Sequence, residues 1–143
     1  MRVLVQRVKE ASVYVHETCI SAIQEGYLLY VGFTHTDTMT SIEKMIDKVL
    51  KLRIYEDEAG KTNVSIPSHH EILSVSQFTL YATTKGQHRP GFSEAMKPSD
   101  ANMLYQLFND TLSQRISVKT GQFGADMSIH SINKGPMTIL LEV

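Results

Sequence analysis

A short stretch in mid-chain, SVSQFTLYA, carries more hydrogen-bonding capacity than the end of a core strand needs. Ser76, Gln77 and Thr79 add two hydroxyls and an amide beside the aromatic ring of Phe78. Where a strand ends, successive backbone N–H groups leave the ladder and can point together into a cleft. Neutral donors arranged in this way suit an ester carbonyl, because they stabilise its oxygen as that oxygen becomes negative. The alternative, which composition alone favours, is that these polar groups only cap the strand end.

A second candidate lies near the C-terminus, where Gly135 and Pro136 fall within the stretch NKGPMT. Between two strands such a pair is typical of a hairpin turn, because glycine accepts positive φ and proline fixes its own φ. Proline in a turn can also take a cis peptide bond, which turns the neighbouring carbonyls in one direction. The pair alone leaves both a structural and a functional interpretation open.

Other catalytic patterns are incomplete. HHEIL at 69–73 has Ser74 where a zinc-protease helix needs its second histidine, and GFSEA at 91–95 lacks the closing glycine of a nucleophile elbow. Thr79 has no partner base within its motif. No phosphate-binding loop or dinucleotide fingerprint occurs, and the 6 histidines are scattered. We therefore expect a site that uses neither a metal nor a cofactor.

Composition is that of an ordinary globular protein of one domain, with 143 residues, 42% hydrophobic and 20% charged. Lys and Arg number 14 against 15 Asp and Glu, so no basic surplus indicates nucleic-acid binding. Cys19 is the single cysteine, which suits a reducing compartment. The N-terminal segment alternates charged and apolar residues and resembles neither a signal peptide nor a membrane helix. The expected location is the cytoplasm.

Alternating apolar residues predict strands at both ends of the chain. Val3 and Val5, then Val13 and Val15, recur at period two on either side of residues 9–11, which predicts two adjacent strands joined by a bend or bulge. The further predicted strands are 27–33, 53–55, 63–66, 71–77, 118–123, 127–132 and 137–143. The first of these is apolar enough to be buried on both faces.

Two amphipathic helices complete the predicted elements. One begins at Thr40, and its apolar residues recur at three- and four-residue steps. The other spans 101–112, with Ser99 or Asp100 as its N-cap, and it follows a long surface loop at 83–98. These elements predict an α+β fold in a single domain, with an antiparallel or mixed β-sheet or β-barrel and two amphipathic helices.

The two candidate motifs, in this order and at these distances from the chain ends, resemble those of the D-aminoacyl-tRNA deacylase family. That family carries SQFT in mid-chain, here residues 76–79, and an N-(D/N)-GP-V-T motif near the C-terminus, here residues 133–138. The other matching segments are Gln6-Arg7-Val8, Ala11-Ser12-Val13, Arg89-Pro90 with Phe92, Thr120-Gly121, Phe123-Gly124-Ala125 and Met127. The resemblance spans essentially the whole chain, so one deacylase domain is expected over residues 1–143.

The resemblance implies an enzyme that hydrolyses the ester joining a D-amino acid to the terminal adenosine of tRNA, with glycyl-tRNA as a second substrate. It implies a homodimer in which Gly135 and Pro136 of one subunit enter the active site of the other. There their carbonyls would bind the amino group of the substrate and leave no room for an L-side chain. A two-fold axis brings the same element to both sites, which makes such an exchange possible.

The resemblance also assigns roles to single residues. Ser76, Gln77, Phe78 and Thr79 form the catalytic motif, in which backbone donors around Phe78 and Thr79 act together with the 2′-hydroxyl of the terminal ribose. Phe123 and Met127 match positions beside the terminal adenine, where an aromatic face and a thioether would pack on the base. Arg7 is expected to steady the Gly-Pro element through its guanidinium donors.

Three positions depart from the family pattern. Lys134 stands where Asp or Asn is usual, and Met137 where Val is usual, both beside the Gly-Pro pair. In the loop, Gly86 lies one residue earlier than the common spacing before Arg-Pro. A related animal deacylase has a trans Gly-Pro and another substrate choice, and the intact SQFT motif together with Arg7 favours the D-specific branch.

Two other classes of protein stay open from sequence. One is an RNA-binding module without catalysis, which would hold the 3′ end of tRNA through Lys85, His88, Arg89 and Lys97. The other is a structural dimer in which Gly135 and Pro136 only lock the interface.

Overall fold

Long strands at the two ends of the chain pair with each other and form the centre of the fold. The structure is a computed structural model and describes residues 1–143. The strands are β1 (Arg2–Val15), β2 (Thr18–Ile23), β3 (Gly26–Gly32), β4 (Tyr55–Glu56), β5 (Thr62–Val64), β6 (Glu71–Ser76), β7 (Ser117–Thr120) and β8 (Ser128–Glu142). The helices are α1 (Met39–Lys51) and α2 (Pro98–Ser113), and a 3₁₀ turn spans Phe78–Tyr81. Neither helix has the length and apolar character needed to cross a bilayer.

Six strands form one mixed sheet in the order β2-β1-β3-β6-β7, with β8 along the free side of β1. The β1 pairings are antiparallel, whereas β3 pairs with β6 and β6 with β7 in parallel. The sheet curls until β2 meets β7, where Ser21 Oγ donates to Thr120 O at 2.6 Å and Lys119 Nζ to Ala22 O at 2.8 Å. The α+β prediction with a mixed, barrel-like sheet and two helices is therefore confirmed.

The core has two layers, because β3 and β6 are covered on both faces. Inside the barrel lie small and branched side chains: Val8, Ala11, Val13, Ile23, Leu28, Leu73 and Val75. The other face packs against both helices and includes Tyr27, Leu29 and Val31 of β3. The run YLLYVGF is thus buried on both sides, as its composition predicts.

Helix α1 matches its prediction, since Ile42, Met45, Ile46 and Val49 form its buried face. Helix α2 starts earlier than predicted, and its N-cap is Lys97 with no capping side chain, so the prediction of Ser99 or Asp100 was wrong. Pro98 explains the difference. Its fixed φ suits the first helical position, where a missing N–H costs nothing.

The terminal strands are longer and more continuous than the sequence pattern suggests. Residues 2–15 form one strand instead of two, and β2 was not predicted at all. The segments predicted as 127–132 and 137–143 form one strand, β8, which pairs with β1 on both sides of residues 134–137. The hairpin interpretation of the Gly-Pro pair was therefore wrong, because the two flanking segments pair with β1 and not with each other.

Candidate active site

The SQFT motif lies where β6 gives way to the 3₁₀ turn. Ser76 is the last residue of β6 and pairs with Val31. The Gln77 N–H donates to Val31 O at 2.7 Å and makes the last bond to β3. Gln77 is extended, with φ −148° and ψ 89°, and the chain then turns at Phe78. The strand predicted to reach residue 77 thus ends at Ser76. The motif contains the last residue of this strand and the first residues of the turn.

Two backbone donors in this turn precede its first internal hydrogen bond. That bond runs from the Leu80 N–H to Gln77 O at 3.3 Å. The N–H groups of Phe78 and Thr79 come before it, so the turn offers them no carbonyl. The Phe78 side chain is 55% exposed, and Thr79 is exposed as well. The turn therefore presents two adjacent N–H groups that a ligand oxygen can use.

Gly32 lets this turn approach β3 closely. A Cβ atom on Gly32 would lie 2.9 Å from Gln77 O and 3.1 Å from Leu80 Cβ, closer than side-chain carbons normally come. Gly32 was not predicted to support the site. Its only signal was a glycine next to the end of an apolar strand.

The long loop closes beside the turn. Phe92 packs edge-on against Phe78 with ring centroids 4.9 Å apart. Thr83 and Gly91 exchange backbone hydrogen bonds of 2.9 and 2.8 Å and form the base of the loop. The side chains predicted to hold RNA, Lys85, His88, Arg89 and Lys97, are all exposed.

Tyr105 of α2 lies beneath the SQFT motif and was also not predicted. Its hydroxyl donates to Ser74 O at 2.7 Å, which supports the end of β6 from below. Burial raises the pKa of Tyr105 above its ordinary value. The Tyr105 ring also packs against Phe123, with centroids 5.9 Å apart. A tyrosine on the apolar face of a helix gives no sign in the sequence that its hydroxyl bonds a strand end.

Phe123 and Met127 lie at the same end of β6. The Gly121 N–H bonds Ser74 O at 2.8 Å, which anchors the segment that carries both side chains. The Met127 sulfur lies 2.8 Å from the place a Cβ on Gly121 would take. Both side chains are partly buried. The structure thus brings Phe123 and Met127 next to the SQFT motif.

The Gly-Pro pair lies in a bulge of β8. Gln6 pairs with Thr138 and Val8 with Asn133, so only Arg7 of β1 stands opposite residues 134–137. The peptide bond between Gly135 and Pro136 is cis, and Gly135 has a φ of +119°. Both residues are exposed. The bulge therefore projects the Gly-Pro backbone from the sheet.

Arg7 supports this bulge from inside. It is only 6% exposed, and its Nε donates to Lys134 O at 3.3 Å, while Nη1 donates to Ile54 O at 2.6 Å. Asn133 Nδ2 donates to Arg7 O and to Met137 O, which closes the base of the bulge. The guanidinium thus contacts the segment it was expected to steady.

Charged side chains surround the same bulge. Lys134 Nζ lies 3.4 Å from Glu25 Oε1, and His70 Nε2 lies 3.5 Å from the other oxygen of Glu25. Burial, and then the neighbouring His69, lowers the pKa of His70, which favours its neutral form. The unusual Lys134 is therefore paired with Glu25 at the surface.

Within one chain the two motifs do not meet. Arg7, opposite the Gly-Pro bulge, pairs with Tyr27 near the start of β3, whereas Ser76 pairs with Val31 near its end. The four residue-to-residue steps from 27 to 31 span about 13 Å at the rise of a strand. The motifs thus lie at opposite ends of the same strands. No group of three or more His, Cys, Asp or Glu side chains is placed to hold a metal ion.

Comparison with known proteins places this geometry in context. A family model described as D-Tyr-tRNA(Tyr) deacylase matches residues 4–142. A protein named D-aminoacyl-tRNA deacylase from Exiguobacterium sibiricum is 51% identical over 144 residues, with 99% of each chain covered. A protein of the same name from Bacillus pumilus is 49% identical, with 99% of this chain and 98% of its own covered.

Two solved structures have the same fold. One, titled c-Myc DNA Unwinding Element Binding Protein, has a TM-score of 0.91 and 42% identity, and the match covers 100% of this chain and 99% of that one. The other, titled as a probable eukaryotic D-amino acid tRNA deacylase, has a TM-score of 0.82 over 99% of this chain and 98% of its own. At 16% identity this second likeness shows the fold alone.

Proposed function

Because this chain belongs to the D-Tyr-tRNA(Tyr) deacylase family, we propose that it hydrolyses the ester bond of D-aminoacyl-tRNA and releases the D-amino acid and free tRNA. The observation that carries the proposal is the pair of N–H groups of Phe78 and Thr79, which have no acceptor in their own turn. They lie in the motif that links this chain to the family. A reaction that develops a negative oxygen is what such donors serve.

The proposed reaction is attack by water on the ester carbonyl. The carbonyl carbon gains the water oxygen, the carbonyl oxygen becomes negative, and the N–H groups of Phe78 and Thr79 stabilise it. The bond to the ribose oxygen then breaks, and that oxygen takes up a proton as tRNA leaves. Residues 76–81 include no histidine or carboxylate, so we assign the activation of water to the substrate's own ribose 2′-hydroxyl.

Selectivity for D-amino acids is assigned to Gly135 and Pro136 of a partner subunit. The distance of about 13 Å along β3 keeps the two motifs of one chain apart, whereas a two-fold axis can bring the bulge of a second copy to the turn. The carbonyls of the exposed Gly-Pro pair would accept hydrogen bonds from the substrate's amino group. The backbone would then fill the space an L-side chain needs. Glycine has no side chain to exclude, so glycyl-tRNA is a second substrate.

The neighbouring residues receive supporting roles. Phe123 and Met127, beside the end of β6, would pack on the terminal adenine. Arg7, which already donates to Lys134 O, would fix the height of the bulge. Ser76 and Gln77 would hold the turn in place through the last bonds to β3. The partners in this proposal are aminoacyl-tRNA and a second copy of the chain.

Parallel hydrolysis of D-tyrosyl-tRNA and L-tyrosyl-tRNA by the purified protein tests the function. We expect rapid release of D-tyrosine, slow release of L-tyrosine, and release of glycine from glycyl-tRNA. A chelator should leave the rates unchanged. Equal cleavage of the D- and L-esters would contradict the filter but not the esterase. Cleavage of neither ester would contradict the proposed function.

A further inference from the structure

A groove of about 1060 Å³ runs along α1, between the C-terminal end of α2 and the end of β8. Five cationic side chains line it: Lys44, Lys48, Lys51, Arg53 and Arg115. Only two side-chain carboxylates, Glu43 and Asp47, do so. The whole chain has 14 cationic and 15 acidic residues, so it carries a small net negative charge. The side chains that line this groove are net positive, and we call it the basic groove.

Internal ion pairs neutralise only part of this charge. Asp47 pairs with Lys51 and with Arg115, each at 2.6 Å, and hydrogen bonds from Arg115 and then Lys51 lower the pKa of Asp47 to about 2. Lys48 donates to a backbone carbonyl, that of Glu142, which leaves its charge uncompensated. Lys44 and Arg53 make no ion pair.

A local structural role explains some of these residues but not all. Lys48 and Lys51 fall in the last turn of α1, where cations also offset the helix dipole. Lys44 lies a turn earlier, and Arg53 lies beyond the helix end. Residues 44, 48 and 51 recur at three- and four-residue steps, which places them along one side of the helix. Lys51 is paired with Asp47, so the cations without an ion pair are Lys44 and Lys48 on this side and Arg53 beyond the helix end. Such a set of cations along a groove is complementary to a row of phosphates.

The basic groove is also connected to the candidate active site. A second groove of about 580 Å³ is lined by Tyr81, Ala82 and Thr83, at and just after the end of the 3₁₀ turn. Val143 lines both grooves, and the second groove also contains the carboxylates of Glu94 and Glu142. Arg2 lines the second groove, and its Nη1 donates to Leu80 O at 3.0 Å. The shared residue Val143 places the basic groove beside the groove that borders the turn, so both are accessible to one long ligand.

We propose that the basic groove binds the phosphate backbone of the tRNA acceptor arm while the 3′ end of the tRNA occupies the SQFT turn. This inference rests on the proposed function, because that function supplies both the polyanion and its point of entry. Lys44, Lys48 and Arg53 contact phosphates. Contacts of this kind raise affinity for any tRNA without selecting an amino acid.

The test compares two charge-matched double variants. Lys44→Gln with Arg53→Gln removes two charges from the groove, and Lys9→Gln with Lys61→Gln removes two exposed charges elsewhere. For the groove variant we expect a KM for D-tyrosyl-tRNA about tenfold higher at an unchanged kcat, and weaker binding of uncharged tRNA in fluorescence anisotropy. The slope of log KM against log salt should fall by about 0.9 for each lost phosphate contact. The control variant should match wild type.

A short substrate distinguishes the contribution of the basic groove from that of the catalytic site. The D-tyrosyl ester of a CCA trinucleotide lacks the acceptor stem whose phosphates the groove is proposed to bind, so both variants should cleave it at the wild-type rate. Equal losses on the trinucleotide and on tRNA, or equal losses in the control variant, would overturn the proposal. If wild type cleaved no D-ester but bound tRNA through these cations, the proposed function would fail and the groove assignment would stand.

Discussion

At the scale of single residues, Phe78 contributes both a backbone N–H and an exposed aromatic ring, and the two can be separated. Phe78 is the first residue of the 3₁₀ turn, a position that tolerates proline. Gln77 before it has φ −148° and ψ 89°, outside the α region that proline disfavours in the preceding residue. Phe78→Pro therefore removes the N–H donor with little change in the fold.

We expect Phe78→Pro to lower kcat for D-tyrosyl-tRNA by roughly 10²- to 10³-fold, the usual effect of deleting an oxyanion donor. Phe78→Ala also loses the ring but keeps the N–H, so its kcat should stay within about tenfold of wild type. Single-turnover kinetics of the two variants measures the difference. Similar losses in both would assign the effect to the ring and not to the backbone.

Gly135 has two independent reasons to be glycine. Its φ of +119° lies in a region that L-residues rarely adopt. A Cβ there would also lie 3.0 Å from Arg7 Nη2 and 3.0 Å from the Met137 nitrogen. Any side chain at this position must therefore displace the bulge or its support.

For Gly135→Ala we expect kcat/KM on D-tyrosyl-tRNA to fall by about tenfold or more, a loss of at least ~1.4 kcal/mol in transition-state binding. Gly60→Ala is the matched control, because Gly60 has a φ of +73° but no atom within 4 Å of the added Cβ. Its activity should equal that of wild type despite a similar backbone strain. A Gly135→Ala enzyme as active and as D-selective as Gly60→Ala would refute the role of the bulge.

At the scale of elements, the position of the SQFT turn depends on how closely it packs on β3. Gly32→Ala would place a carbon 2.9 Å from Gln77 O, a backbone atom that can move only with the turn. A displacement near 1 Å costs a positioned reaction up to about 10²-fold. We therefore expect a fall in kcat of about tenfold or more in steady-state assays.

Ile72→Val provides a stability control for Gly32→Ala. Ile72 is fully buried in β6, and its truncation costs about 0.5–1.5 kcal/mol without adding bulk near the turn. Thermal denaturation should show both variants folded, and only Gly32→Ala should lose activity. Parallel losses of stability and activity in the two variants would mean that Gly32 serves packing alone.

The sequence was informative about elements wherever one local pattern determined the structure. Helix α1 followed from its apolar spacing, and β3 from its unbroken apolar run. The bulge was not predictable, because its register depends on pairing with β1 more than a hundred residues away. Local chemistry at Gly135 and Pro136 fits a hairpin as well as a bulge. Tertiary pairing with β1 decided between them.

The same distinction applies to the site. The SQFT and Gly-Pro motifs were visible as unusual polar or turn residues, and family resemblance drew in Arg7, Phe123 and Met127. Gly32 and Tyr105 were not visible, since their importance lies in one close approach and one hydrogen bond across the fold. Residues of this kind become recognisable only when the turn and its supports are seen together.

At the scale of the whole molecule, the two motifs lie too far apart in one chain to form a single site. They lie at opposite ends of β3, separated by about 13 Å of strand. The proposed active site therefore requires two chains, with the SQFT turn from one and the Gly-Pro bulge from the other. The most direct test is activity in mixed dimers.

The measurement is the D-tyrosyl-tRNA deacylase activity of a purified heterodimer that joins a Phe78→Pro chain to a Gly135→Ala chain. If sites are shared, one site in this dimer combines both defects and the other has none, so about half of the wild-type activity should return. Joining a doubly substituted chain to a wild-type chain should give no such recovery, because each site then has one defect. Two results together would contradict the shared site. They are a Phe78→Pro/Gly135→Ala heterodimer no more active than the two variant homodimers, and recovered activity in the dimer of a doubly substituted chain with a wild-type chain.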